Sequence, residues 1–174
     1  MVYKYGIQNS NSESDWNHMW NKYLRETVPQ EKSKLLYGLS RTRTVWLLMR
    51  YLEYTKDTTK VKSQDFFIVL TYIGRNPVGR SLVWDWVRTN WQYMVDRFTV
   101  FSRSFGRLVP SIVSNFNTEF QLSQVESFFK QYPDAGAGER GREQALESIR
   151  GNIAWMKKYQ NNISSWLCKQ PDVC

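Results

Sequence analysis

The chain has 174 residues, with Lys+Arg 24 against Asp+Glu 16 and a formal net charge of +8; one domain is the default at this length, and it needs no disulfide staples to build a core. Hydrophobic residues at 41% and charged residues at 23% exclude a disordered composition. The longest apolar runs, residues 45–49 and 66–70, fall far short of the roughly 20 residues that a membrane helix needs, and no basic-then-apolar leader opens the sequence, so neither a span nor a secretory signal is expected.

Taken in chain order, the periodicity is helical. Residues 15–25 place Trp16, Trp20 and Tyr23 on one face after the cap candidates Ser12 and Ser14. Pro29 opens a second helix, ending near Gly38, because a missing N–H is harmless in a first turn. A third begins at Thr42 or Thr44 with the stripe Val45, Leu48, Met49 and Leu52. After a polar loop at 56–62, Ser63 with Asp65 caps a fourth helix carrying Phe66, Phe67, Leu70 and Ile73.

Gly74-Arg75-Asn76-Pro77 reads as a stop and restart, since Pro77 biases Asn76 out of the α region. The next helix, 77–98, is apolar on more than one side and is expected between two neighbours. Residues 99–106 form a connector, followed by a short helix at 107–115. Thr118 with Gln121 resembles a capping box and starts a helix to about Tyr132. Residues 133–138 break it, and a long helix from 139 to 167 follows, striped with Leu146, Ile149, Ile153, Met156, Ile163 and Leu167. The expectation is an all-α fold, a HEAT-like α-solenoid of about eight antiparallel helices forming a single domain over 1–174, with a plain helical bundle as the alternative.

The chemistry is sparse. One histidine, His18, rules out a two-imidazole zinc helix. His18 with Cys168 and Cys174 has no ligand spacing, and it reads better as a helical surface or packing residue. A Cys168–Cys174 disulfide would close only a short terminal loop. Positive charge is spread out, 13 basic and 8 acidic residues in 1–87 and 11 and 8 in 88–174, with no run of four Lys/Arg. Nucleic-acid binders cluster that excess beside presented aromatics, so none is expected here. The glycine-rich 136–141 follows a helix and lacks the Lys-Ser/Thr of a phosphate loop, so it reads as a turn permitting positive φ. Asp85, among indoles, has Arg88 in reach and no second carboxylate placed for glycosidase work. Arg103 and Arg107, four apart beside a connector, share a face if that segment is helical. A guanidinium there suits a carboxylate, although a surface salt bridge is the commoner use.

Several motifs carry a family resemblance: Val2-Tyr3-Lys4-Tyr5-Gly6, Glu31-Lys32-Ser33-Lys34-Leu35-Leu36-Tyr37-Gly38-Leu39, Arg75-Asn76-Pro77-Val78-Gly79, Val83-Trp84-Asp85-Trp86-Val87, Asn117-Thr118-Glu119, Ala135-Gly136-Ala137-Gly138-Glu139 and Asn152-Ile153-Ala154-Trp155. In order and over essentially the whole chain, they resemble the C-terminal helical domain of the gluzincin zinc aminopeptidases, the family of aminopeptidase N and glutamyl aminopeptidase, and more the latter. The resemblance implies a helical bowl packed over a catalytic aminopeptidase domain, closing a chamber for peptide substrate. It implies a parent enzyme that is a membrane-anchored, homodimeric type II ectoenzyme holding zinc, with calcium an option at its acidic-residue pocket. The family's zinc helix and its Gly-Ala-Met-Glu-Asn loop do not occur in this sequence, so no catalytic residue or metal is expected here and the chain reads as a noncatalytic domain or fragment. Arg103 matches an arginine that reaches toward an acidic first side chain of the substrate, with Arg107 the weaker candidate. Asn162-Ile163-Ser164 is a glycosylation sequon. A stand-alone helical-repeat peptide- or protein-binding module is the competing function.

Overall fold

The computed structural model describes residues 2–10 and 12–170, and among these the regular elements are helical. They gather into two compact units, Met1–Phe98 and Thr99–Cys174. Cys174, and with it the Cys168–Cys174 pairing, lies outside the described residues.

The first unit runs α1 (Val2–Asn9), α2 (Glu13–Arg25), α3 (Pro29–Leu39), α4 (Val45–Tyr54), α5 (Phe66–Gly74), α6 (Arg80–Thr89) and α7 (Trp91–Phe98), with a 3-10 turn at Ser63–Asp65 before α5. Ser12 caps α2 as expected, its side chain accepting from the Asp15 N–H, and Pro29 begins α3. Trp16, Trp20 and Tyr23 are buried; the two indoles stack with centroids 5.6 Å apart, and Trp16 Nε1 donates to the Leu39 carbonyl at 3.1 Å. A buried indole N–H without such an acceptor would be costly, so this bond fixes α2 against the end of α3.

Three features depart from the expected elements. Helix α1 has no acidic residue in its first turn and no basic residue in its last, and it includes β-branched, aromatic and glycine residues, all weak helix signals. It forms because it packs on α3. A Cβ on Gly38 would lie 2.9 Å from the Tyr3 Cβ and 3.0 Å from Met19 Sδ, so only glycine admits this approach. The expected 77–98 helix starts at Arg80 and breaks at Asn90, whose side-chain amide bonds the Trp86 carbonyl at 2.8 Å. Local capping by an Asn side chain competes with helix continuation. Its first half packs against both α4 and α5, burying Val83, Trp84, Trp86 and Val87 while Asp85 faces solvent. The third departure lies in the second unit.

The expected stripe on α4 is also rotated. Leu47, Leu48, Tyr51 and Leu52 are buried, whereas Val45 and Met49 are exposed. Trp46, on the outer side, lies under the Arg50 guanidinium at 4.7 Å. Ser63 accepts from Arg97 Nη2 at 2.9 Å, and the N-cap of α5 is Asp65, which makes no side-chain cap bond. Asn76 is the fixed point of the unit. Buried, it donates to the carbonyls of Ser40 (2.9 Å) and Thr42 (2.7 Å) and accepts from the Val78 N–H (3.1 Å), tying two loops together.

The second unit contains α8 (Arg103–Gly106), α9 (Leu108–Val113), α10 (Glu119–Gln131) and α11 (Glu139–Leu167), with a 3-10 turn at Gly136–Gly138. The one-turn α8 stands inside the expected connector, the third departure. Thr118 caps α10 through the Gln121 N–H at 3.2 Å, and Gln121 Oε1 returns to the Asn117 N–H at 2.9 Å. α11 packs on α9 and α10 through Ala145, Ile149 and Ile153. Asn152 Nδ2 bonds the carbonyls of Ser114 and Phe116, each at 2.9 Å. From Ala154 onward no side chain of α11 is fully buried: Met156 is half-buried, and Trp155, Tyr159, Ile163, Trp166 and Leu167 are exposed.

Candidate functional site

The chemistry-bearing residues singled out in the sequence fall into ordinary roles, with two exceptions. Asp85 is exposed and paired with Arg88, so its surroundings offer no burial to make it an acid. His18 is exposed on α2. Among the described residues no three His, Cys, Asp or Glu side chains gather as metal ligands would. The donor set of the described residues does not fit a zinc site.

Arg103 and Arg107 are the exceptions. Arg103 is the first residue of α8, after Ser102 in an extended conformation, and Arg107 follows its last residue. The Arg107 N–H donates to the Arg103 carbonyl at 3.3 Å, so the segment is a helical turn and the two side chains stand one turn apart. Both are exposed, and among the described residues neither makes an ion pair. Beside them Phe101 is 74% exposed. Two buried side chains, Val100 and Phe105, bracket this presented stretch.

The backbone under Arg103 is unusual. Thr99, a β-branched residue, has φ 58, the only positive φ of a non-glycine residue among those described. Such a conformation costs about 1–2 kcal/mol and persists only when its surroundings impose it. The residue that follows Thr99, Val100, is held by the glycine turn. The Ala137 N–H donates to the Val100 carbonyl at 3.1 Å, and Gly136 has φ 48. The expectation of a positive-φ turn holds there. What the sequence alone did not reveal is that the turn is packed and not free: a Cβ on Gly106 would meet the Ala137 carbonyl carbon at 2.7 Å and the Gly138 nitrogen at 2.8 Å. Asn162 is exposed on the outer part of α11.

Residues 1–151 match the family described as ERAP1-like C-terminal domain. Aminopeptidase A of Gloydius brevicauda is 51% identical over 167 residues, which is 96% of this chain and 18% of that protein. Human glutamyl aminopeptidase is 49% identical over 96% of this chain and 17% of its own length. Aminopeptidase Ey of Gallus gallus is 38% identical over 89% of this chain and 16% of its length. The chain thus spans less than a fifth of the curated relatives it matches. With both the family match and these identities in agreement, the chain belongs to the ERAP1-like C-terminal domain family, the helical domain of the zinc aminopeptidases.

Proposed function

We propose that this chain is the noncatalytic helical domain of a zinc metalloaminopeptidase that releases N-terminal, preferentially acidic, residues from peptides. Its role is to shape and close the substrate chamber as a wall of HEAT-like helical hairpins, with its partner the catalytic aminopeptidase domain. The family match runs across both compact units, which supports treating 1–174 as one domain. Zinc, and calcium at the acidic-residue pocket, belong in this reading to the rest of the complete enzyme, a membrane-anchored homodimeric ectoenzyme. No helix among the described residues is long and apolar enough to cross a membrane.

The observation that carries the reading is the Arg103 guanidinium, exposed and without a carboxylate partner among the described residues. A planar fork of donors left unpaired is ready for the carboxylate of a substrate side chain. Arg107, one turn away, adds positive potential. The test is a chimera in which this chain replaces the matching segment of a full-length glutamyl aminopeptidase. Arg103→Ala is expected to weaken kcat/KM for N-terminal Glu by about 1.5–3 kcal/mol, the worth of a charged hydrogen bond, and for a neutral residue far less. Equal losses on both substrates would remove Arg103 from specificity. Asn162, in this reading, carries an N-linked glycan: expressed through the secretory route, the chain should shift in mobility on glycosidase treatment and Asn162→Gln should abolish the shift.

A further inference from the structure

We propose that the glycine turn Gly136–Gly138 is a socket that sets the position of Arg103, with Gly106, Gly136 and Gly138 acting as positioning residues for it. The inference rests on the reading of Arg103 given above and asks what holds that side chain in place.

The stretch 101–104 has little packing of its own to fix it, since Phe101, Arg103 and Ser104 face solvent and only Ser102 is half-buried. It is held from its two ends. At the leading end the Val100 carbonyl is captured by the Ala137 N–H, and Gly136 leaves no room for a Cβ beside that same peptide group. A Cβ at 136 would fall 2.6 Å from the Val100 carbonyl carbon and 3.0 Å from its Cβ, inside the reach of the carbonyl oxygen. At the trailing end Gly106 and Gly138 meet backbone to backbone. A Cβ on Gly106 would strike the peptide between 137 and 138, and one on Gly138 would lie 3.1 Å from the Gly106 Cα. Three glycines therefore interlock with the backbone around Val100 and Ala137; at Gly106 and Gly136 no Cβ fits, and at Gly138 one would force its neighbour to shift.

The left-handed Thr99 fits the same account. Its strain redirects the chain so that Val100 turns inward to the socket while the next residues turn out. Strained backbone that is over-determined by its neighbours is how a presented side chain is aimed. Arg103 follows within one turn of the captured carbonyl, and Gly106 closes that turn through its N–H to the Ser102 carbonyl at 3.0 Å. The bulk of α11 and α10 is not involved in this clamp. A mild opening of the socket should therefore free the arginine without melting the unit.

The geometry ranks the consequences. In the full 174-residue chain, hydrogen exchange at the Gly106, Arg107 and Ala137 amides should accelerate at least about tenfold in Gly136→Ala and Gly106→Ala, and less in Gly138→Ala, while α10 and α11 amides keep their protection. Gly151→Ala is the control, because nothing lies within 4 Å of a Cβ there. In the chimeric enzyme, Gly138→Ala and Gly106→Ala should raise KM for an N-terminal glutamyl substrate several-fold more than for a neutral one. In an Arg103→Ala background they should add no further discrimination. Exchange unchanged in all three variants overturns the socket. So do losses equal on both substrates, or undiminished when Arg103 is absent. If Arg103→Ala itself leaves selectivity untouched, the reading of Arg103 fails and the positioning claim with it; if Arg103→Ala acts but the glycine variants do not, this inference alone fails.

Discussion

Tyr23 and Tyr51 sit among the indoles of α2 and carry their own pH signature. Burial, aided by the Asp65 charge, pushes the Tyr23 hydroxyl up from 10.0 to about 12. Burial also raises Tyr51 well above 10.0, with nearby Tyr23, Asp65 and Tyr72 adding to it, and its hydroxyl donates to the Leu36 carbonyl at 3.2 Å. Below 10.0 both folded and unfolded chains keep these protons, so the stabilisation is intact. Above it the unfolded chain releases them first, and stability falls as pH climbs toward and through the folded values. Denaturant unfolding across this window should show that decline, with phenolate absorbance appearing together with unfolding; a flat stability would mean the phenols are not shielded. Tyr23 was legible as a helix-face residue from spacing alone, whereas Tyr51 lay outside the stripe expected on its helix. Arg103 and Arg107 stood out in the sequence as a pair four apart beside a connector, but the substrate-facing role proposed for Arg103 came from family resemblance, and the backbone contacts proposed to hold it lie about 35 residues away in sequence.

Among the elements, the amphipathic helices with caps were readable from the chain: α2, α3 and α10 begin at or within two residues of the positions that Ser12, Pro29 and Thr118 imply. Those formed by tertiary contact were not. α1 exists because Gly38 lets Tyr3 approach, and the break at Asn90 follows from one side-chain hydrogen bond that a hydrophobic pattern does not encode. The rotated face of α4 has a similar origin, since Arg50 over Trp46 makes an outward indole tolerable. Asn76 joins the loop after α3 to the turn before α6. Asn76→Ala would strand two carbonyls and should destabilise the first unit by about 2–4 kcal/mol, read as a lower denaturant midpoint at unchanged slope. A loss under half a kcal/mol would show that water replaces the amide.

For the molecule as a whole, the reading as a wall without chemistry has a direct check. Supplied with zinc and a glutamyl chromogenic peptide, the isolated chain should release no product; steady turnover that scales with chain concentration would refute it. The all-α class was legible because nearly every stretch repeats at helical spacing. The division into Met1–Phe98 and Thr99–Cys174 was not, since the sequence at 98–99 carries neither Pro nor Gly to mark it.

The indoles divide along the same lines as the packing. Trp16, Trp20, Trp84, Trp86 and Trp91 are shielded, while Trp46, Trp155 and Trp166 meet solvent. Lys157, Lys158 and Lys169 surround the last two, and residues 154–170 contain no acid. Iodide is drawn to that cationic stretch and should extinguish the red-edge emission of Trp155 and Trp166 long before it reaches the interior rings. With Trp46→Phe removing the third accessible fluorophore, the domain becomes an optical gauge of its own final helix: the fraction of emission that iodide can no longer reach, once the rest of an enzyme is attached, measures how much of that helix has been covered.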